Sequence, residues 1–329
     1  MAPVRFLLHP EYYKQVQGLD HVAEFTLHIP ALIWEWATYF HLKNAGHKVE
    51  LVDEMPQDGI VVVSACMYPL LQKPPKNVVL ISTLADTPPR FFAHIHVSQN
   101  PWQHRDYLKP FGYPLWRFIN IWPQPGIIPR DKTRADKFER IGFFGHRDQL
   151  ERSLQTDEFR NALAKEGLTL EIIDRDFNDY SKIDAVIAIR DFTGNPQYHK
   201  PNSKLINGWA AGVPVLATNE SAFKAMEESS LDFIEVASAD ELLAGLTRLK
   251  GSPDLVRKMV ENGHRRVKDY SQEKILGDWE RLLFDDAQKL YNTWQRRSKV
   301  GKDLFNANLF MARSYRNVKN RIKRKLQFS

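Results

Sequence analysis

The stretch from His199 to Phe223, HKPNSKLINGWAAGVPVLATNESAF, decides how the fold of this chain is interpreted. Apolar residues at helical spacing predict a helix from Ser203 to Ala211, and Gly212 supplies a residue type that commonly ends helices. The run from Val213 to Ala217 is short, apolar and rich in Val, which indicates a buried strand. The segment therefore predicts one helix–strand unit of an α/β sheet.

The start of this helix has the composition of an anion-binding site. A helix N-terminus presents unpaired N–H groups and the positive end of the helix dipole, which favours a bound phosphate. Lys200, Ser203 and Lys204 add a hydroxyl and two positive charges there, and Asn207 shares a helix face with Lys204. Ser221 begins a second short helix beyond the strand. A structural alternative stays open, in which these residues only cap and pack the helix.

The rest of the chain repeats the pattern of apolar strands and helices in two halves. Val- and Ile-rich strands separated by helices predict parallel sheets covered on both faces. Between the halves lies a proline-rich segment, which cannot form the interior of a regular element. The predicted fold is α/β, with two Rossmann-like domains facing a central cleft. The predicted parts are an N-terminal domain (1–125), a linker (126–137), a second domain (138–285) and a tail (286–329).

Composition is that of a folded protein, with 43% hydrophobic and 12% aromatic residues in 329. The single cysteine, Cys66, excludes an internal disulfide and lies in an apolar run, so we expect a buried, unreactive thiol. No stretch has the roughly 18 consecutive apolar residues that a membrane span needs, and the N-terminus lacks a signal-peptide pattern. These features predict a cytoplasmic location.

The helix–strand segment resembles the donor-binding domain of GT-B glycosyltransferases, in which a helix ending Ala-Ala-Gly-Val-Pro-Val runs into a strand. Many retaining members of that class have two glutamates, eight positions apart, that hold the donor sugar and the ribose. In register with Gly212, those positions are His199 and Asn207 here, so the glutamate signature is absent. By this resemblance Asn207 would bind ribose hydroxyls and His199 would face the sugar.

Two further motifs resemble a bacterial glycosyltransferase-like group: WPQPGIIPR at Trp122 to Arg130 and DYSKIDAVIAIRD at Asp179 to Asp191. The resemblance implies a GT-B fold, a hexosyltransferase type of activity and a nucleotide-diphosphate sugar as donor, without a separate cofactor. The resemblance covers roughly residues 115–285 and says little about the acceptor; we expect the N-terminal domain to bind a glycan or a lipid-linked acceptor, such as lipopolysaccharide, which a membrane-associated tail would suit.

Position along the strands adds donor-side candidates. Gly145 and His146 follow the first strand of the second domain, where a glycine lets backbone approach a phosphate. Arg190 follows the strand from Ala185 to Ile189, and its guanidinium suits bidentate binding of a diphosphate and stabilisation of the leaving group. The structural alternative for Arg190 is an ion pair with Asp191 or Asp184.

An inverting transferase also needs a general base within reach of the acceptor hydroxyl. The loop after the first strand carries His9, Glu11, Asp20, His21 and Glu24. The preferred pair is Asp20 with His21, because this loop follows a strand end that would face the cleft. The rival is Asp86, at the end of another strand. A helix cap or a surface charge is the alternative role for each.

No metal site is expected. Asp174 and Asp176 form an Asp-x-Asp triplet, but a triplet occurs by chance and belongs to a different glycosyltransferase fold. The histidines show no spacing typical of zinc ligands.

The charge of the chain is concentrated in its tail. Residues 299–329 contain nine Lys or Arg and one acid, against a net charge of +6 for the whole chain. Apolar residues from Leu304 to Leu326 recur at helical spacing, which predicts a basic amphipathic helix. Such a helix suits an anionic membrane surface, so we expect peripheral attachment to the inner face of the membrane. Docking of the helix on the body is an alternative, and no nucleic-acid partner is expected.

Two other functions stay open at this stage. One is a nucleotide-sugar epimerase or hydrolase of the same fold, and the other is a non-catalytic nucleotide-sugar-binding protein. A dinucleotide-dependent oxidoreductase is disfavoured, because no Gly-x-Gly-x-x-Gly follows the first strand of either half.

Overall fold

The computed structural model describes residues 1–22, 29, 32–69, 72–90, 92–106, 115–308 and 311. The chain divides into two compact units. Unit 1 comprises Met1–Trp122 and Gln272–Ser329, and unit 2 comprises Pro123–Ser271. Each unit contains one parallel β-sheet, which confirms the predicted α/β fold class with two Rossmann-like domains.

Unit 1 has a six-stranded sheet in the order β2-β1-β3-β4-β5-β6. Its strands are β1 Val4–Leu7, β2 Val49–Val52, β3 Asp58–Ser64, β4 Asn77–Thr83, β5 Ile95–Ser98 and β6 Leu115–Phe118. The central strands β3 and β4 are Val- and Ile-rich and almost fully buried, as expected where both faces of a parallel sheet are covered. The edge strand β6 was not predicted, because its residues are partly exposed and form no apolar run.

Unit 2 has a five-stranded sheet in the order β11-β10-β9-β7-β8. Its strands are β7 Arg140–Phe144, β8 Thr169–Ile173, β9 Ala185–Ala188, β10 Val215–Ala217 and β11 Ile234–Glu235. Alternate residues of β7 and β9 belong to two separate core clusters, one on each face of the sheet. The strand order reverses at β7, and open α/β sheets bind ligands at such a point, beyond the carboxyl ends of the strands.

The α-helices are α1 Pro10–Val16, α2 Ala37–Asn44, α3 Asp157–Lys165, α4 Ser203–Ala211, α5 Ser221–Lys224, α6 Ala239–Lys250, α7 Pro253–Arg266, α8 Gln272–Glu280 and α9 Ala287–Arg296. The segment after β1 differs from the loop that the sequence predicts, because Pro10–Val16 is a helix with His9 as its N-cap and Glu11 in its first turn. Helix α4 has its predicted bounds and ends at Gly212, whose φ of 69° is left-handed. The segments Leu32–Trp36 and Arg281–Asp286 are π-helices, and each runs directly into the α-helix that follows it.

The chain returns to unit 1 earlier than predicted. The sequence pattern places residues up to 285 in the second domain, whereas unit 2 ends at Ser271 in the structure. Ile275 and Trp279 of α8 lie in the core of unit 1, where the Trp279 ring packs edge-on against Trp34 at a centroid distance of 6.3 Å. Helical periodicity shows that this face is apolar, but it does not show which sheet covers it.

The proline-rich segment also differs from the predicted linker. Trp122 lies in the core of unit 1, and Pro123 begins unit 2. Within unit 2, Ile128 pairs with Asp179 in an isolated parallel bridge, and Arg130 N donates to Ala211 O at 3.0 Å. Residues 123–137 therefore form a strap on the surface of unit 2, because their backbone groups find partners there.

Candidate functional site

Three segments of unit 2 meet at the carboxyl edge of its sheet. Gly145 directly follows β7, Arg190 lies two residues beyond β9, and α4 begins beside them with Ser203 and Lys204. Parallel strands all end at one edge, so residues that are far apart in sequence come together there. This edge includes the point where the strand order reverses.

Lys204 is the most unusual of these residues. Its Nζ is buried and has no hydrogen-bond acceptor among the described residues. The nitrogen lies 4.0 Å from the ring centroid of Phe143 and 3.4 Å from the place where a side chain on Gly145 would begin. Burial and the neighbouring Arg190 lower the pKa of Lys204 well below its usual value. A side chain at position 145 would contact both this amine and the Phe143 ring, and glycine avoids that contact.

Arg190 is ion-paired with Glu220, a residue that the sequence analysis did not identify. Arg190 NH1 donates to Glu220 Oε2, and neither Asp191 nor Asp184, the expected alternatives, takes this role. The Glu220 side chain is 2% exposed, and its Oε1 has no partner within the described part of the chain. Glu220 follows β10 and directly precedes α5, and that position at a strand end was the available signal.

Asn207 is buried, and its side chain contacts other residues of unit 2. Its Nδ2 donates to Gln124 Oε1, and its side chain is also hydrogen-bonded to Tyr180. Gln124 belongs to the proline-rich motif and Tyr180 to the Asp-Tyr-Ser motif, so Asn207 joins the two motifs inside unit 2. In this arrangement the side chain connects the strap to α4.

The other donor-side candidates are spread along the same edge. His146 is exposed and begins a short 3-10 helix, with its ring 6.3 Å from that of Phe177. Lys200 lies in the loop before α4, where its charge acts on Lys204. Ser221 is buried, and its N–H donates to Pro196 O at 2.7 Å. Of the predicted candidates, Gly145 thus lies next to the Lys204 amine, and the charges of Arg190 and Lys200 act on that amine.

The buried Asp184 binds two arginines of the strap, Arg130 and Arg134. The Asp184 carboxylate accepts from Arg130 Nε at 2.9 Å, from Arg134 NH2 at 2.7 Å and from two backbone N–H groups. Burial raises the pKa of Asp184, but the hydrogen bonds from Arg134 and the backbone outweigh it and hold the pKa below the usual value. Asp184 therefore stabilises the strap and lies at the start of β9, away from the candidate site.

Asp20 and His21, the pair predicted to act as general base, lie at the surface of unit 1. His21 Nδ1 is 2.8 Å from Asp20 Oδ1, and the two side chains are 67% and 95% exposed. Hydrogen bonding to His21 lowers the pKa of Asp20. The rival, Asp86, accepts a hydrogen bond from Gln99 Nε2 at 2.8 Å. Glu24 falls outside the described residues.

Unit 1 contains a buried carboxyl group that the sequence analysis did not single out. Glu35, in the first π-helix, is fully buried, and its Oε1 accepts from Thr83 Oγ1 at 2.6 Å. Burial raises the pKa of Glu35 well above its usual value. Thr83 pairs in register with Ser64 at the carboxyl edge of the sheet. π-Helical turns often occur at functional sites, and a helical apolar pattern does not reveal them.

Cys66 is exposed, although its apolar surroundings in the sequence predict a buried residue. The residue lies in the turn after β3. Its Sγ lies 3.0 Å from Ser64 Oγ, and partial burial raises the pKa of the thiol. A raised pKa disfavours the thiolate, so the expectation of an unreactive thiol remains a prediction on different grounds.

Asp174 and Asp176 lie on the exposed surface after β8. Within the described ranges, no three His, Cys, Asp or Glu residues form a group that could hold a metal ion. No helix in the described part of the chain is both long enough and apolar enough to span a membrane.

The tail is described only in its first part. Residues 299–308 are helical, and Phe305 is buried in the core of unit 1, with its ring stacked on His94 at 5.2 Å. Val300, Leu304 and Met311 are exposed. The basic stretch from Arg313 to Lys325 lies outside the described residues.

The comparisons with known proteins agree with this architecture. Residues 147–276, which cover most of unit 2, match a family model described as Glycosyl transferase-like. No curated protein matches the sequence significantly.

Similar solved structures share the fold. HepE of Anabaena, solved in complex with UDP and glucose, has 11% sequence identity and a TM-score of 0.52, over 86% of this chain and 100% of that chain. TarM of S. aureus has 10% identity and a TM-score of 0.50, over 75% of this chain and 57% of that chain. The chain thus has the fold of GT-B glycosyltransferases, and its second unit matches a glycosyl transferase-like family.

Proposed function

We propose that the protein is a glycosyltransferase that moves a sugar from a nucleotide-diphosphate donor to a hydroxyl of a glycan or glycolipid. In the reaction, the bond between the anomeric carbon and the diphosphate oxygen breaks, and the diphosphate leaves with the bonding electrons. The acceptor oxygen forms the new bond to the anomeric carbon and gives its proton to a base. The match of unit 2 to a glycosyl transferase-like family supports this class of reaction.

One observation carries the donor part of the proposal. The Lys204 amine lies buried and without an acceptor at the carboxyl edge of the sheet, with the Arg190 guanidinium acting on it. A buried polar group without a partner is costly in an empty protein, so its presence indicates that a ligand supplies the partner. A diphosphate fits, because it brings negative oxygens to Lys204 and accepts from the guanidinium of Arg190.

We also propose that these cations act in place of a metal ion. Lys204 and Arg190 would neutralise charge that develops on the leaving diphosphate. Transfer should therefore continue in the presence of a chelator such as EDTA. If EDTA abolishes transfer and added Mg²⁺ or Mn²⁺ restores it, the proposal that these cations replace a metal ion is wrong.

For the acceptor side, we propose that Asp20 and His21 supply the base. Their 2.8 Å contact would hold the imidazole with its other nitrogen free to take a proton. The variant His21→Gln should lose transfer while donor binding stays unchanged. Unchanged transfer in that variant would point to another base.

The donor can be identified by thermal shift with UDP, GDP, ADP, CDP and dTDP and their sugar conjugates. A true ligand binds the folded protein and so raises the melting temperature. At a concentration of a hundred times Kd, it increases the free energy of unfolding by about 2.7 kcal/mol. The variants Arg190→Ala and Lys204→Met should lose the shift, whereas Lys258→Met, an exposed lysine of α7, should keep it. If no nucleotide shifts the wild-type protein, the donor proposal is wrong.

A second experiment separates transfer from the alternative activities. The protein is incubated with the donor that the thermal shift identifies, first without an acceptor and then with candidate glycans and glycolipids. The proposal predicts slow donor turnover alone and faster turnover with an acceptor. Rapid conversion without any acceptor would favour an epimerase or hydrolase. Binding without turnover under every condition would favour a non-catalytic binding protein.

We further propose that the protein is cytoplasmic and that its tail binds an anionic membrane surface. Phe305 anchors the start of the tail helix to unit 1, which leaves the apolar side chains of Val300, Leu304 and Met311 exposed beside a strongly basic sequence. Lysines near an anionic surface contribute about 1 kcal/mol each. The full chain should sediment with phosphatidylglycerol-containing vesicles and not with phosphatidylcholine vesicles. Leu304→Asp should weaken this binding, and equal binding to both vesicles would contradict the proposal.

A further inference from the structure

The environment of Lys204 has a consequence for how the proposed donor binds. Its Nζ packs over the Phe143 ring at 4.0 Å and has no acceptor among the described residues. A charged ammonium group placed in such surroundings loses its hydration and its hydrogen bonds, and gains in return only the cation–π attraction of the Phe143 ring. Burial of an amine without a hydrogen-bond partner therefore favours its neutral form over the ammonium form.

The charged groups around Lys204 reinforce this effect. Arg190, which follows β9, and Lys200, in the loop before α4, both repel a positive charge on the amine. Glu220, which precedes α5, attracts it, but one oxygen of that carboxylate is already occupied by Arg190 and the other contacts no hydrogen-bond donor in the described chain. Phe143 of β7 and Gly145 directly after it lie next to Nζ, and neither carries a net charge, although the face of the ring attracts a cation weakly.

A bound diphosphate would reverse the balance. It would place negative oxygens beside Nζ, where Gly145 carries no side chain, and a hydrogen bond to a charged acceptor favours the ammonium form. We propose that Lys204 is a neutral amine in the empty protein and takes up one proton from solvent when a nucleoside diphosphate binds. Only an N–H bond forms at Nζ in this step, and the proton comes from water or buffer. The inference rests on the proposed function.

The sign of the pH dependence follows from linkage. A complex that holds one more proton than its separated parts becomes weaker as pH rises, and Kd increases up to tenfold per pH unit. Phosphate groups titrate near pH 6, so their contribution disappears above about pH 7.5. The window from pH 7.5 to 9 therefore reports on Lys204 and not on the phosphates of the ligand.

The direct test is titration calorimetry of the full chain with UDP, and with GDP, ADP, CDP and dTDP, at pH 8. Each titration is run in HEPES and in Tris, whose ionisation enthalpies differ strongly. The difference between the two observed enthalpies gives the number of protons exchanged, and the expected result is uptake of about one. Binding without proton uptake would overturn this inference and leave the proposed function intact. No binding of any nucleoside diphosphate would overturn both.

Two variants assign the proton to its group. Lys204→Met should abolish the proton uptake and weaken binding, and its melting temperature shows whether it folds. Lys204→Arg places a permanent charge at the position, so it should bind without proton uptake and with a Kd that changes little between pH 7.5 and 9. Uptake that persists in either variant would assign the proton elsewhere and contradict the inference. Lys258→Met, with an exposed lysine changed, should keep the wild-type uptake.

Discussion

The guanidinium of Arg190 is paired with the buried carboxylate of Glu220, and the two residues come from the ends of neighbouring strands. Arg190 follows β9 and Glu220 follows β10, so the pair joins two strand ends at the edge where the candidate site lies. The pair fixes the orientation of the guanidinium before any ligand arrives. Rigid placement of a binding group reduces the entropy that binding would otherwise cost.

This pairing leads to the first prediction. Glu220→Gln keeps the shape of the side chain but leaves Arg190 as a buried charge without compensation. Breaking one partner of a buried pair costs about 3–5 kcal/mol, so the thermal midpoint of the variant should fall clearly. The matched control is Glu235→Gln, whose exposed carboxylate contacts Lys224 at 2.9 Å and should cost less than about 1 kcal/mol. Equal midpoints for the two variants would show that the Arg190 pair is not structural.

A second prediction concerns the contact between α4 and β10. A methyl group on Gly208 would lie 2.4 Å from Val215 Cγ2, so Gly208→Ala must push the helix from the strand. Overpacking of this kind costs about 1–3 kcal/mol. Gly277 of α8 has no atom within 4 Å of the same position, and Gly277→Ala should stabilise its helix by about 0.5–1 kcal/mol. Calorimetric midpoints check both signs, and a stable Gly208→Ala variant would contradict the close packing.

A third prediction concerns Asp184, which holds the strap of residues 123–137. Asp184→Asn replaces an acceptor by an amide that faces guanidinium and backbone donors, and the expected loss at pH 7 is about 3 kcal/mol. The pKa of Asp184 is lowered in the folded protein, so its stabilisation is present above the unfolded pKa near 3.9 and is lost as pH falls through the folded pKa.

Denaturant unfolding at pH 7 and pH 3 tests this sign. The difference between the wild-type protein and Asp184→Asn should shrink at the lower pH. Asp157→Asn, which changes a carboxylate that is 89% exposed, serves as the control and should change little at either pH. A difference that is constant with pH would mean that the charge of Asp184 is not what stabilises the strap.

A fourth prediction concerns Glu35. Its pKa is raised by burial, so the folded protein keeps a proton that the unfolded chain releases above about pH 4.3. Stability from this group is therefore present at low pH and is lost as pH rises toward the folded pKa. Glu35→Gln imitates the protonated form, keeps an oxygen for the hydroxyl of Thr83 and should remove this loss.

The measurement compares unfolding free energies from pH 5 to pH 8. The free energy of unfolding of Glu35→Gln should increase relative to that of the wild-type protein as pH rises. The increase is up to about 1.4 kcal/mol per pH unit at pH values below the folded pKa of Glu35. Glu54→Gln, at an exposed position in the same unit, should follow the wild-type curve. Parallel curves for wild type and Glu35→Gln would show that Glu35 is ionised in the folded protein.

Much of the fold could be predicted from local pattern. The Val- and Ile-rich runs that became β3 and β4, and the helix that became α4, each carry their periodicity and end signals within a few residues. Gly212 ends α4 because a left-handed residue is needed there and glycine tolerates it without strain. The position of Arg190 beyond a strand end was also predictable, since parallel strands end at one edge.

The rest depends on residues that are distant in sequence. Trp279 lies in the core of unit 1, although it follows the whole of unit 2 along the chain. Glu220 pairs with Arg190 across thirty positions. Asn207 contacts Gln124 and Tyr180, which lie in two other motifs of the sequence. A periodic pattern shows that a face is apolar or polar, but not which partner covers it.

The sequence by itself determined two α/β sheets, the helix that begins at Ser203 and the cluster of cations at its start. These properties are local, because backbone geometry and side-chain alternation repeat within a few residues. Only the tertiary structure decided that Lys204 would be buried over Phe143 without an acceptor, and that Glu220 would hold Arg190. Burial and ion pairing arise when separate segments pack together, and the chemistry of the candidate site depends on both.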